Sequence, residues 1–349
     1  MKKFKLSMML ILMSMLVFSA CGGGGGGGSD DPDNPGDDPK DPTATLEING
    51  DTYTYTLPGC TEFNLMLTPD VATTKTFPTG LTDSGSANVP ARFIMGETEV
   101  TYQLWKEVYD WAIANGYTFA NAGVKGNDGA VAKTTQHPVT TVNWRDSIVW
   151  CNALTEYYNE NNGSETDLAV VYCSDAGYTT PIRSSADGIY DSSVNSTAGS
   201  YDNPYVNSSA KGFRLPGSME WEFAGRYRGT DATNAVAGSD GTYYTTGISA
   251  SGATADYTND SATTAVALYD VSSTAIVKSK VASGANALGL YDMSGNVWER
   301  CFDIYSGSYR VIRGGAYNYT ASHLRLGDVD GRNPYGESSF VGFRFCRSR

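Results

Sequence analysis

From about residue 160 to the C-terminus the chain carries no sustained hydrophobic period; Ser, Thr, Gly, Asn, Asp and Tyr predominate, broken by short apolar clusters. A stretch of this kind cannot build long amphipathic elements, so regular structure is expected to be sparse, with small strands between long loops. Such loops fold only when turns, buried aromatics, disulfides or bound ions tie them down. With 23 Tyr against 12 Phe, many of the rings also offer a hydroxyl to backbone groups that need a partner.

Before residue 160 the pattern is clearer. Residues 43 to 57 alternate, with Leu46, Ile48, Tyr53 and Tyr55 among polar neighbours, and the Asn49-Gly50 turn predicts a hairpin. Val100, Leu104, Val108, Trp111 and Ala112 recur at helical spacing between Glu99 and Ala114, with Thr101 placed as a cap. A second helix is expected from about Trp144 to Tyr158, burying Ile148, Cys151, Ala153, Leu154 and Tyr158.

The N-terminus reads as a secretory leader over residues 1–20. Lys2, Lys3 and Lys5 precede an apolar run from Leu6 to Phe18, too short to span a bilayer comfortably, and Ser19-Ala20 lead into Cys21. This resembles a bacterial lipobox with Cys21 as the acylated residue, although Phe18 stands where Leu is usual; the alternative is ordinary cleavage with Cys21 incidental. Residues 21–42, the glycines Gly22 to Gly28 and the Asp/Pro-rich run from Ser29 to Pro42, have almost nothing apolar to bury and read as a tether. The acidic residues from 30 to 38 resemble export signals of surface lipoproteins. The expected location is therefore the cell envelope, lipid-anchored at the outer-membrane surface, with the lipid as the only membrane contact.

A net charge of −13 without any Lys/Arg cluster excludes nucleic acid as a partner, since phosphate binding needs a basic footprint. Besides Cys21 there are Cys60, Cys151, Cys173, Cys301 and Cys346, an odd number, so at least one thiol is free or pairs between molecules. The only histidines are His137 and His323, which excludes a histidine-rich metal site.

Several words fall in order along the chain: Met95-Gly96-Glu97-Thr98-Glu99-Val100-Thr101, Pro138 to Trp144, Gly212-Phe213-Arg214-Leu215-Pro216 with Glu220-Trp221-Glu222, and Gly289 to Glu299. Arg313-Gly314-Gly315 and Gly342-Phe343-Arg344 follow. Together they resemble the formylglycine-generating-enzyme (sulfatase-modifying-factor) family. The resemblance implies an α+β, C-type-lectin-like domain over residues 93–349, preceded by a small β extension at 43–92. It also implies a structural calcium ion bound by the side chains of Asp292 and Glu299 and the carbonyls of Gly295 and Val297. The residues alone allow two readings of this segment: an oxygen cage for a hard cation, or a plain turn stapled by Trp298 with Glu299 paired to an arginine. A second calcium site of the family would lie near Asp256 and Tyr257, where the match is too loose to assign residues.

By the same resemblance, the two cysteines that hold copper(I) in catalytic members fall on Tyr319 and Leu324, neither of which can ligate that ion, so no copper and no catalytic residue are expected. Cys346 lies one residue beyond the family's structural cysteine, which leaves a bridge to Cys151 open. What fills the site instead is Asn318, Tyr319, Thr320, Ser322, His323, Asp328, Asp330, Asn333, Tyr335, Ser338, Ser339 and Phe340, the Tyr/Ser/Asn/Asp palette of paratopes. The ending further resembles the variable proteins of diversity-generating retroelements, whose diversified stretch lies between an Arg-Gly-Gly and a Gly-Phe-Arg word; from Ala316 to Phe340 only Glu337 lies outside the residue types their mutation reaches. The expectation is a surface-displayed binding module for a protein or glycan, using residues 316–340 as an exposed patch with Leu324 and Leu326 facing inward. An enzyme of the sulfatase-modifying type and a structural lipoprotein of an envelope complex are the alternatives.

Overall fold

The computed structural model describes residues 44–349 apart from 60, 71–75, 90, 128–132, 163–166, 187 and 190–191. Cys21, the leader, the tether and Cys60 lie outside the described residues.

The expected hairpin is formed by β1 (Thr45–Asn49) and β2 (Thr52–Thr56), joined through Gly50 at φ +61°. Tyr53 and Tyr55 are buried, whereas Ile48 stays exposed. The hairpin continues into β3 (Glu62–Leu67), which pairs with β4 (Phe93–Gly96) in the register Met66 opposite Met95. The extension and the domain thus share one sheet. Two short strands complete it, β5 (Phe213–Arg214) and β10 (Cys346–Ser348), in the order β1-β2-β3-β4-β10-β5.

Alternation along these strands builds a core on each face of the sheet. Ile94, Phe343 and Phe345 point to one side, where α1 (Tyr102–Ala114) and α2 (Trp144–Asn161) pack. Trp105 and Trp150 stack there at 5.9 Å, with Phe343 edge-on to Trp150 at 5.4 Å. Phe93, Met95 and Cys346 point to the other side, against α3 (Ser218–Arg226), Met293 and Leu326. Thr101 caps α1 by accepting from the Leu104 amide. Asn143 and Asp146 form a reciprocal capping box on α2, each side chain accepting the other's amide. Glu99 and Val100, expected at the head of the first helix, precede it.

After α2 the regular structure thins out as expected, to small strands and α4 (Asp260–Val266). The second sheet, which positions the C-terminal stretch, has the order β8-β7-β6-β9, where β6 is Trp298–Ser306, β7 Tyr309–Arg313, β8 Asp330–Arg332 and β9 Val341–Gly342. Cys151 and Cys346 are both buried and unbridged, as are Cys173 and Cys301, so the bridge left open by the sequence is absent.

Candidate binding surface and acidic pocket

Residues 316–340 leave β7 through Arg313-Gly314-Gly315 and return through β9. Gly315 sits at φ +75°, where a side chain would also run into the His323 carbonyl, so the chain can turn here only with glycine. From that point the backbone is fastened at intervals. Asp270 and Val271 amides donate to the carbonyls of Tyr319 and Tyr317 at 3.0 and 2.8 Å. Ser294 Oγ donates to the Leu324 carbonyl at 2.9 Å, and Arg313 Nη1 to that of Asp328 at 2.8 Å. Further on, the Trp144, Thr141 and Trp298 amides take the carbonyls of Pro334, Ser338 and Phe340, at 3.0, 3.0 and 2.9 Å. Arg300 Nη2 takes that of Gly336 at 2.6 Å. Every one of these bonds uses a main-chain oxygen of the stretch.

Its side chains behave differently. Among the described residues their hydrogen bonds and ion pairs run only within the stretch: Thr320 with Ser322 at 2.9 Å, and Asp328 with His323 and Arg325 at 3.6 and 3.8 Å. Leu324 and Leu326 are fully buried, as expected. Asn318, Thr320 and Asp330 are exposed. Ser322, His323, Asp328, Asn333, Tyr335, Ser338, Ser339 and Phe340 are half-buried, as is Tyr319, so the patch is less open than its composition suggested.

The reason is an aromatic cluster. Tyr319 stands edge-on to the buried Trp298 at 5.7 Å, to His323 at 5.0 Å and to Phe340 at 5.5 Å, while Arg332 lies over the Phe340 ring at 4.8 Å. Tyr335 sits apart, under the Arg145 guanidinium at 5.5 Å. Of the two positions that match copper cysteines, Tyr319 belongs to this cluster and Leu324 packs among Ala250, Ala253, Val266 and Ala267.

Behind this surface lies the segment Asp292 to Glu299. Gly295 has φ +87° and meets the Leu268 backbone so closely that no side chain fits. Glu299 is fully buried and accepts from Arg344 Nη2 and Nε, each at 2.6 Å, and from Trp221 Nε1 at 2.6 Å. That is the arginine-paired turn of the second sequence reading. Asp292 differs: among the described residues its Oδ2 accepts only the Lys278 amide, at 2.7 Å. Nearby, Glu99 Oε2 accepts from Asn296 at 3.4 Å, while Oε1 is buried without a partner.

Burial pushes Asp292 up to about 6, and burial together with the charges of Asp292 and Glu299 pushes Glu99 well above the carboxylate range. Three buried carboxylates therefore face Arg344, the one buried guanidinium that acts on all of them. Among the described residues no three Asp, Glu, His or Cys side chains converge tightly enough to hold a metal by themselves. The oxygen-only donors nonetheless suit a hard cation, whose charge would favour the ionised carboxylates, provided that main-chain carbonyls complete its shell. Glu299 would contribute only a lone pair left over from Arg344.

Sequence reasoning missed the buried arginines. Arg313 pairs with Glu222 at 2.9 Å, Arg145 with Asp202 at 2.7 Å, and Arg344 with Glu299 as above. Arg300 is equally buried but has no carboxylate in contact among the described residues, and burial holds its guanidinium down at about 9. Arg-Gly-Gly and Gly-Phe-Arg were legible as words, and an arginine beside Glu299 was one of the two readings of that segment; which arginine serves which carboxylate was not legible.

Residues 70–349 match the sulfatase-modifying factor enzyme 1-like domain. A chaperone protein LppX from Paenibacillus barcinonensis is 24% identical over 74% of this chain and 80% of its own length. The serine/threonine-protein kinase Pkn1 of Chlamydia trachomatis is 33% identical, but over 39% of this chain and 21% of the kinase. Among solved structures, variable protein 1 of Treponema denticola superposes with a TM-score of 0.60 at 26% identity, over 85% of this chain and 99% of that one. CarF gives 0.56 at 26% identity, over 79% and 97%. The chain is an α+β, C-type-lectin-like protein that belongs to the sulfatase-modifying factor enzyme 1-like (formylglycine-generating-enzyme) family.

Proposed function

We propose that this protein is a non-catalytic, surface-displayed binding lipoprotein, anchored through Cys21 in the cell envelope, that meets a protein or glycan ligand through residues 316–340. The observation that carries the reading is the division of labour in that stretch: its carbonyls are held from outside, while the hydrogen bonds and ion pairs of its side chains stay within the stretch among the described residues. A surface fastened in this way tolerates exchange of side chains, as diversification by a retroelement requires. Partly exposed aromatics among small polar groups give it anchors and adaptable contacts. The likeness to a variable protein supports the same reading. A structural calcium ion at Asp292, with the carbonyls of Gly295 and Val297 and a shared Glu299, belongs to the proposal, and copper does not.

The decisive test is the neighbouring DNA. A near-copy of the codons for residues 316–344, with Asn codons at the variable positions and a reverse-transcriptase gene alongside, is the expected finding. Formylglycine formation on a sulfatase-derived cysteine peptide, detected by mass spectrometry with copper present, would overturn the non-catalytic reading.

A further inference from the structure

Arg300 lies on β6 directly beneath the loop from Asn333 to Ser339. Its Nη2 donates to the carbonyls of Val142 at 3.0 Å and Gly336 at 2.6 Å, but Nε and Nη1 are buried and have no acceptor among the described residues. Arg310, the other buried arginine of this hairpin without an ion pair, is satisfied differently: it donates to the carbonyls of Phe302 and Asp202 and lies 3.9 Å over the Trp144 ring. A guanidinium removed from water with two donor groups idle and no anion beside it is an expensive arrangement that native proteins do not keep without compensation.

The acids in electrostatic reach do not fill the role. Asp146 has its oxygens committed to the Asn143 and Ala120 amides, Asn121 and Ser185, and Glu337 is exposed. A second cation is in reach as well. Arg332, on β8 of the same sheet, lies over the face of Phe340 and has no carboxylate partner among the described residues. Two guanidinium groups without ion-pair partners thus border one loop of the proposed binding surface, Arg300 through the Gly336 carbonyl and Arg332 as the residue before Asn333.

We infer that Arg300 and Arg332 form a seat for one compact anion of carboxylate or sulfate type, held under the loop 333–339. The seat stands on geometry and charge; only the assignment of its anion to a ligand rests on the binding-surface reading. A ligand-borne acid group and a free ion share this chemistry, and the experiment separates them.

Crystals of the intact domain soaked in sodium bromide should show an anomalous peak within hydrogen-bond range of the Arg300 guanidinium. In solution, the melting temperature of the wild type should rise with sodium bromide or acetate by more than that of Arg300→Met, a variant of similar volume without the charge. The difference between the two proteins removes the general effect of salt. On arrays of sialylated, sulfated and neutral glycans and acidic peptides, a ligand-borne anion gives acid-dependent signals that Arg332→Gln weakens at least tenfold. A bromide peak without such signals assigns the seat to a free ion. Water alone at Arg300, together with equal salt responses of wild type and Arg300→Met, overturns the inference. Signals from neutral probes in that case would leave the binding surface standing.

Discussion

The frame around residues 316–340 and the stretch itself are built on opposite plans. In the frame, side chains do the fastening: Arg344 grips Glu299, Arg313 grips Glu222, and each pair is withdrawn from solvent. In the stretch, the main chain is gripped and the side chains are left over. Specificity of fold and freedom of surface are thereby separated within a few residues of each other. The difference also says where mutation is costly.

The sharpest break of this contrast is Arg344→Met. It leaves the Glu299 carboxylate buried beside two further acids, and denaturant unfolding should show a loss of about 3–5 kcal/mol. Leu326→Ala, inside the stretch but anchored in the core among Trp221, Phe223 and Met293, should cost about 2–5 kcal/mol in the same assay.

A third test concerns pH. Asp292 titrates at about 6 when folded and near the ordinary carboxylate value when unfolded, so the folded form holds a proton that the unfolded form has released. Its contribution is complete below pH ~4 and is lost as pH rises through about 6. The metal-free protein should therefore lose stability from pH 5 to 7 by about 1.3 kcal/mol relative to Asp292→Asn, and calcium should flatten that slope. A slope indifferent to calcium would count against the cation site.

The smallest effects belong to the surface. Asn318→Ala, Thr320→Ala and Ser339→Ala should each stay within about 0.5 kcal/mol. Tyr319→Ala, which gives up its edge contacts with Trp298 and Phe340, should cost about 1 kcal/mol. If thermal melts of these variants matched Leu326→Ala, the stretch would be core, and the contrast would collapse.

Much of this was readable from the chain. Alternation gave the hairpin, helical spacing with Thr101 gave α1, and two leucines among polar neighbours marked the inward-facing positions 324 and 326. What could not be read were the interactions that need the tertiary fold. In Trp298-Glu299-Arg300-Cys301 all four residues are buried, because both faces of β6 are covered, so the polar-out alternation that betrays a strand is missing. Which of the two charged residues finds a partner depends on Arg344, 45 positions away in sequence, and no local pattern reports it. The half-burial of Tyr319 was hidden for the same reason: its neighbour Trp298 lies on β6, 21 positions earlier in the chain.

The placement of β10 bears on how the protein is made. This last strand lies between β4 and β5, pairing Cys346 with Met95 on one side and with Arg214 on the other. A chain synthesised N-terminus first cannot complete its main sheet until residues 346–348 arrive. The sheet should therefore stay open until the rest of the domain has been made. A stop codon or frameshift upstream of β10 would leave β4 with a bare edge and the product open to proteolysis.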